Sequence, residues 1–496
     1  MNPHACSKRA GRLLMALVAI ASILLMAACG SSNGLVTPLP GGFSNSSLSG
    51  TYVMKQTGYY NNNGNAQPFS ETTVFTSNGS GTLTILEDDG GPQGPGVENL
   101  AGSYGIEQDG EGYLTFNNPA ASSTYQITMI DDSHFYAMEG DTYATSSGSG
   151  VLQTSTAAPS GTFVFKAHNF ELSSRVGGIT IAGGAFNGTQ DLLTLGNSNL
   201  SQPISATVTA PVANGVGTFS VTGGISYNYY VISASEFYFM ANPVSGSLEI
   251  GEAKAQTGGP FTVANTLTAG SYVFGSRGDT VTNQPGIHSA GVITTNGSGG
   301  IASGTVDYVQ DANVEDGGGA GLTVNANAAY TLDPSGNGNG TITLPLSNGA
   351  TINQVFWMVS PTSAVFLNNN QVAVEDGSFS LQSGAPFAAL TSQAAFVMDG
   401  NPSATPAALG DQVGPFDPTS STAFNWNEQA NLAGTGAVPI GTNGTYTISS
   451  NGRVEATVNY FPSSLVFYLS SPNTGFMVEV DGNGDIGGVF TQQASQ

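Results

Sequence analysis

The sequence predicts an all-β chain of four tandem antiparallel units, each a small up-and-down barrel of about eight strands. Three observations predict it. Strands of four to seven residues with alternating polarity are separated by Asn-Gly, Asp-Gly and similar turn signals, as in Gly81-Thr-Leu-Thr-Ile-Leu86 and Thr124-Tyr-Gln-Ile-Thr-Met-Ile130. No segment sustains the 3.6-residue period of a capped helix, so crossover helices and a parallel sheet are not expected. An opening strand also recurs: Gly50-Thr-Tyr-Val-Met54, Gly161-Thr-Phe-Val-Phe165, Gly270-Ser-Tyr-Val-Phe274 and Ala394-Ala-Phe-Val-Met398.

Composition agrees with that class. The 496 residues include 68 Gly, only 8% charged residues and 39% hydrophobic ones, enough to fill several cores. Among the charged residues, 33 are acidic and 9 basic, and Lys8, Arg9 and Arg12 precede every acidic residue. A surface this poor in Lys and Arg repels phosphate backbones, so no nucleic-acid partner is expected.

The N-terminus reads as an export signal. Lys8, Arg9 and Arg12 precede the apolar run Leu13–Leu25, then Met26-Ala-Ala-Cys29 and Gly30-Ser-Ser-Asn-Gly34. This resembles the bacterial lipoprotein signal, which implies cleavage before Cys29 and acylation of its thiol, palmitate included. Membrane attachment is then through lipid, and Gly30 after the Cys implies outer-membrane sorting. The expected division is a signal over 1–28, with lipidated Cys29 and a flexible Gly/Ser/Pro tether over 29–47. Repeats follow over 48–153, 158–256, 268–382 and 391–493. With Cys6 removed, no disulfide is available and each unit rests on its core.

Within each unit the later strands align as well. Gly102-Ser-Tyr-Gly-Ile106, Ala329-Tyr-Thr-Leu332 and Gly444-Thr-Tyr-Thr-Ile448 correspond, each followed by a turn and a second strand. Aromatic strands follow (Tyr227–Ile232, Val355–Val359, Leu465–Leu469), then a hairpin partner, then a closing strand that ends at Gln153, Gln256, Gln382 or Gln492. Small, Pro-bearing segments such as Thr154–Pro159 and Ser383–Pro386 read as linkers. The unit resembles the Gly-rich β-repeat of secreted and lipid-anchored proteins of acidobacterial-type genomes, an uncharacterised family, which implies architecture and an envelope setting without an activity. Closing each meander into a barrel pairs its last strand with its first and removes sticky edges. A β-sandwich is the alternative fold.

Few residues point to chemistry. Asp481, Asn483 and Asp485 alternate as in Ca²⁺ loops, yet Ile486 and Gln492 stand where that pattern needs Gly and Glu. Calcium is therefore the one cofactor considered, against a plain hairpin turn. The acidic pairs at 87–89, 131–132, 315–316 and 375–376 could supply a glycosidase with two carboxylates, though Asp is also favoured at turns. His134, His168 and His288 fall at unrelated repeat positions and share no metal-ligand spacing. Arg277-Gly-Asp279 reads as an adhesive tripeptide or a chance loop. Trp357, Tyr468 and Tyr229 belong to the aromatic strands, where adjacent rings point to opposite faces. They either stack on sugars or pack cores and unit contacts. Tandem copies without shared catalytic residues suit a non-enzymatic surface lipoprotein for adhesion, matrix or glycan binding, since repetition multiplies weak contacts. The alternatives are a lipocalin-like carrier with one hollow barrel and a secreted glycoside hydrolase.

Overall fold

The computed structural model describes residues 41–494, except 63–64, 91–95, 119–121, 170–171, 243–244, 246, 281–285, 311–312, 315–320, 370–372, 401–409, 432–435, 460–462 and 481–485. The chain is a run of antiparallel strands with one named helical turn, the 3₁₀ segment Asn45–Ser47. Three sheets are closed eight-stranded barrels in simple meander order. In each, the opening strand pairs with both the second and the last: Tyr52 faces Phe75 and Leu152, Phe163 faces Ile179 and Ala255, Ala394 faces Phe416 and Gln492.

The third unit departs from this plan. Where the first barrel has one strand, Gly96–Ile106, the third has three short pieces, Asn313–Val314, Leu322–Thr323 and Ala329–Leu332. Its sheet is consequently an open path, drawn together by the isolated bridges Gly300↔Ala329 and Val324↔Leu346.

Alternation puts one side of each strand into its own barrel. Tyr52, Phe75, Phe116 and Phe135 fill the first lumen, and Phe396, Phe416, Trp426 and Phe467 the fourth, where Phe396 and Trp426 stack at 4.1 Å. The lumens are packed. Inside the second barrel a space of about 30 Å³ remains, room for roughly one water at about 30 Å³ each. The hollow barrel of a carrier is thus absent from the described residues.

The other side of the opening strands is buried too. Val53 and Val74 of the first barrel meet Tyr230, Ile232 and Met240 of the second. Val164 and Val176 of the second meet Trp357 and Leu367 of the third. Val273 and Val292 of the third meet Val466, Tyr468 and Val478 of the fourth. The circle then closes, because Ala395, Val397 and Val413 of the fourth pack on Ile130, Tyr136 and Met138 of the first. Head-to-tail contacts of one kind generate a ring when the rotation closes, and here four barrels complete it.

A glutamine latches each joint. Gln153 Nε2 donates to the carbonyls of Asn214 (3.0 Å) and Val231 (2.6 Å) in the second barrel. Gln256 does the same to Asn337 and Met358, Gln382 to Asn451 and Leu469, and Gln493 to Asp109 and Met129 of the first barrel. The residue after each glutamine extends the seam: Thr154, Thr257, Ser383 and Ala494 donate to the carbonyls of Ile232, Val359, Ser470 and Ile130.

Three sequence expectations are corrected here. The closing glutamine of the fourth unit is Gln493 rather than Gln492, and Ala394, rather than Phe396, stands where Tyr52 stands. A two-residue slip preserves which side chains face inward, so the pattern alone could not detect it. The linkers are seams, fixed by the hydrogen bonds above. From Phe43 onward the expected tether is part of the fold: Phe43 and Leu48 are buried in the first core, and Tyr104 Oη donates to the carbonyls of Asn45 and Leu48. Phe261 and Phe387 occupy the matching place in units three and four, their amides bonding Gly336 and Ser450 as that of Phe43 bonds Gln108.

Candidate functional site

The space at the centre of the ring follows from strand alternation. In the strand Gly270–Thr280, Tyr272 and Phe274 enter the core while Val273, Gly275 and Arg277 face out. Facing out here means facing the axis. The matching positions bring Lys55 and Thr57 from barrel one, Lys166 and His168 from barrel two, Arg277 from barrel three, and Val397 and Asp399 from barrel four around a cavity of about 250 Å³. The closing strands add Ser149, Glu252, Asp376 and Val489. A second space of about 40 Å³ shares Thr57, His168, Arg277, His288 and Asp399 as walls and adds Tyr59, Asp279 and Asp411.

The walls are a network of ion pairs. Arg277 donates to Asp399 Oδ2 (2.8 Å) and to Thr57 Oγ1 (3.2 Å), so one guanidinium ties barrels one, three and four together. Lys55 Nζ lies 2.6 Å from Glu252 and 4.5 Å above the Tyr238 ring. His168 stands between two carboxylates, with Nδ1 3.0 Å from Asp376 Oδ2 and Nε2 3.2 Å from Asp279 Oδ2. Ser174 Oγ adds a bond to Asp376.

These partners set the protonation states. Burial works against a charged His168, but hydrogen bonds to Asp279 and Asp376 outweigh it and push its pKa up to about 9, so both ring nitrogens donate at neutral pH. Burial likewise opposes ionisation of Asp376, Glu252 and Asp399, yet the facing cations hold all three below the ordinary carboxylate range. Burial lowers Lys55, with Glu252 countering it in part. Asp411, whose carboxylate accepts from Thr145, is pushed up to about 7 by burial.

The aromatic residues singled out in the sequence lie elsewhere. Tyr229 is in the second barrel's core, its hydroxyl donating to the carbonyl of Thr209. Trp357 is buried in the joint of barrels two and three, its Nε1 2.6 Å from Asp191 Oδ2. Tyr468 is buried in the next joint, bonded to Asp307, which Arg453 also clasps at 2.7 Å. None of the three offers an exposed ring face to a sugar, which corrects that expectation. Asp481, Asn483, Asp485 and Cys29 lie outside the described residues. Among the described residues no cluster of His, Cys, Asp and Glu is arranged to hold a metal.

Arg277-Gly-Asp279 is inside a strand, with Arg277 and Asp279 at the axis rather than in a displayed loop. Glu375 and Asp376 also sit in a strand rather than a turn. Glu375 points into barrel three, bonded by Ser289 Oγ at 3.0 Å, while Asp376 points to the cavity. His168 and His288, unrelated by spacing, meet there as well.

Sequence reasoning passed over Lys55, Lys166 and Asp399, and read Arg277 only as part of a tripeptide. The signal was the run Tyr-Val-Met, Phe-Val-Phe or Tyr-Val-Phe in the opening strands, since three apolar residues in a row mean that both faces are covered. The rarity of basic residues was a second signal. All six after residue 28 have a carboxylate within 4.0 Å, and three of them surround this cavity.

No protein-family model matches the chain, and no curated protein does. Among solved structures the chain is similar to that of intact Ap-TbpB, N and C lobes, at 9% identity over 69% of this chain and 77% of that one, with a TM-score of 0.20. Nothing of that protein is carried over to this chain. No helix among the described residues is long and apolar enough to cross a membrane.

Proposed function

We propose that this chain is a non-enzymatic binding protein of the bacterial cell envelope, anchored through acylated Cys29, and that it holds a small molecule in the cavity at the ring centre. One observation carries the binding reading. The barrels are filled by aromatic cores, while the ring axis keeps about 250 Å³ lined by charged and apolar side chains from all four units. Concave sites with a few convergent polar groups on an otherwise apolar wall are where proteins hold small ligands. The carrier alternative is thereby moved from one barrel to the space between four. Display of independent adhesive modules is less favoured, because the units are locked to one another and Tyr229, Trp357 and Tyr468 of the aromatic strands are buried.

Native mass spectrometry on the full chain, released gently from its own envelope, tests the reading. One small molecule per chain is expected, and none in a Val489→Phe variant whose added ring fills the cavity. Bare protein mass throughout would overturn it. The anchor has its own test: metabolic palmitate labelling should vanish in Cys29→Ala, and persistence of the label would sink that assignment.

A further inference from the structure

We infer that the central cavity takes a small organic anion, its charged end held by Lys55, Lys166 and Arg277 and its apolar body against barrel four. The inference rests on the reading of the cavity as the binding site.

The first ground is which charges face the empty space. Lys55, Lys166 and Arg277 leave 22%, 26% and 36% of their side-chain surface uncovered, although all three lie deep between barrels and look onto the cavity. Of their carboxylate partners, Glu252 leaves 16% and Asp376 only 5%, and Asp399 alone reaches 27%. Cationic surface therefore predominates on the wall.

The second ground is hydrogen-bond capacity. An ammonium has three N–H donors and a guanidinium five, and neither can accept. Lys166 has one ion-pair contact among the described residues, at 3.7 Å from Asp376, too long for a hydrogen bond. Lys55 donates to Glu252, and Arg277 to Asp399 and Thr57. The acceptors are far better used: Asp376 Oδ2 receives both His168 and Ser174, and Glu252 has Lys55 at 2.6 Å with Lys254 at 4.0 Å. Donors left over between the barrels are met by an acceptor-rich group, and charge-assisted N–H to carboxylate bonds are the strong kind. A cationic ligand would find few acceptors free.

The third ground is the opposite wall. Val397, Phe476 and Val489 of barrel four present hydrocarbon. Phe476 can lie flat against barrel three because residue 275 is glycine; a Cβ there would come within 2.2 Å of the ring. A volume of about 250 Å³ equals roughly eight waters at about 30 Å³ each. The ligand is consequently of benzoate or hexanoate size, and nucleotides and oligosaccharides are too large.

Calorimetric titration of the full chain with benzoate, hexanoate, benzyl alcohol and benzylamine tests the inference. Benzoate and hexanoate are expected to bind one per chain, at least tenfold tighter than benzyl alcohol, and benzylamine not to bind. Lys166→Gln should weaken benzoate at least tenfold and leave benzyl alcohol unchanged, while Lys166→Arg retains benzoate. If Lys166→Gln does not fold, salt titration of the wild type discriminates equally: benzoate binding should weaken with added salt and benzyl alcohol binding should not. Benzyl alcohol or benzylamine binding as tightly as benzoate would overturn the anionic class while leaving the cavity a site. Failure of all four probes would overturn the cavity reading itself.

Discussion

His168 is the residue whose environment makes the sharpest forecast. Its pKa, raised to about 9 against an ordinary 6.5, means that the folded state holds its proton more firmly than the unfolded one. Its stabilising contribution is complete below pH 6.5 and disappears as pH rises through about 9. Asp411 and Glu428, both raised to about 7, act in the same direction in an earlier window that starts near pH 4. Urea unfolding at pH 7 and pH 10 should therefore show a loss of stability in the wild type that is smaller in His168→Asn; an equal loss in both would refute the assignment. Trp357 allows a plainer test. Trp357→Phe removes the Nε1 donor to buried Asp191, which keeps Asn339 Nδ2 and the Ser201 amide. The expected cost is about 1–3 kcal/mol, visible as a lower urea midpoint at unchanged slope.

At the scale of strands and seams, much was legible. Alternating polarity and Asn-Gly or Asp-Gly turns mark the hairpins, and Asn78 shows why: its side-chain oxygen accepts from the amides of Ser80 and Thr82 while Gly79 takes a φ of +73°. In sequence, the glycine-rich run Asp316-Gly-Gly-Gly-Ala-Gly321 separates the first two pieces of the broken strand of unit three. The latches were not legible. Gln153, Gln256 and Gln382 were visible as repeat ends, but a period-2 pattern carries no information about a neighbouring barrel's carbonyls. Gln256→Leu should cost about 0.5–1.5 kcal/mol by leaving two part-buried carbonyls short of a donor, and should speed hydrogen exchange at the Thr257 amide. Unchanged exchange there would mean the seam holds without its latch.

At the scale of the molecule, the ring escaped the sequence because its inner face mixes Val53, Lys55 and Thr57, a mixture that reads as a solvated strand face. In the structure those charges are neutralised by residues far along the chain, Lys55 by Glu252, 197 positions away, and Arg277 by Asp399, 122 positions away. The cavity was illegible for the same reason, since its wall is assembled from short stretches of all four barrels. Truncation after Gln382 tests the closed arrangement. It would bare Val273 and Val292 on one side and Tyr136 and Met138 on the other, two apolar faces on one chain. Light scattering should then report self-association, whereas independent beads would remain a soluble monomer.

The joints are also chemically distinct. Asp191 meets Trp357 and Asn339, Asp307 meets Tyr468 and Arg453, and Gln493 fastens beside the turn that seats Phe43. Linear repeat arrays lengthen or shorten by whole units and keep their ends capped. A circle has no ends to cap, so gaining or losing one unit here would rupture the figure instead of resizing it.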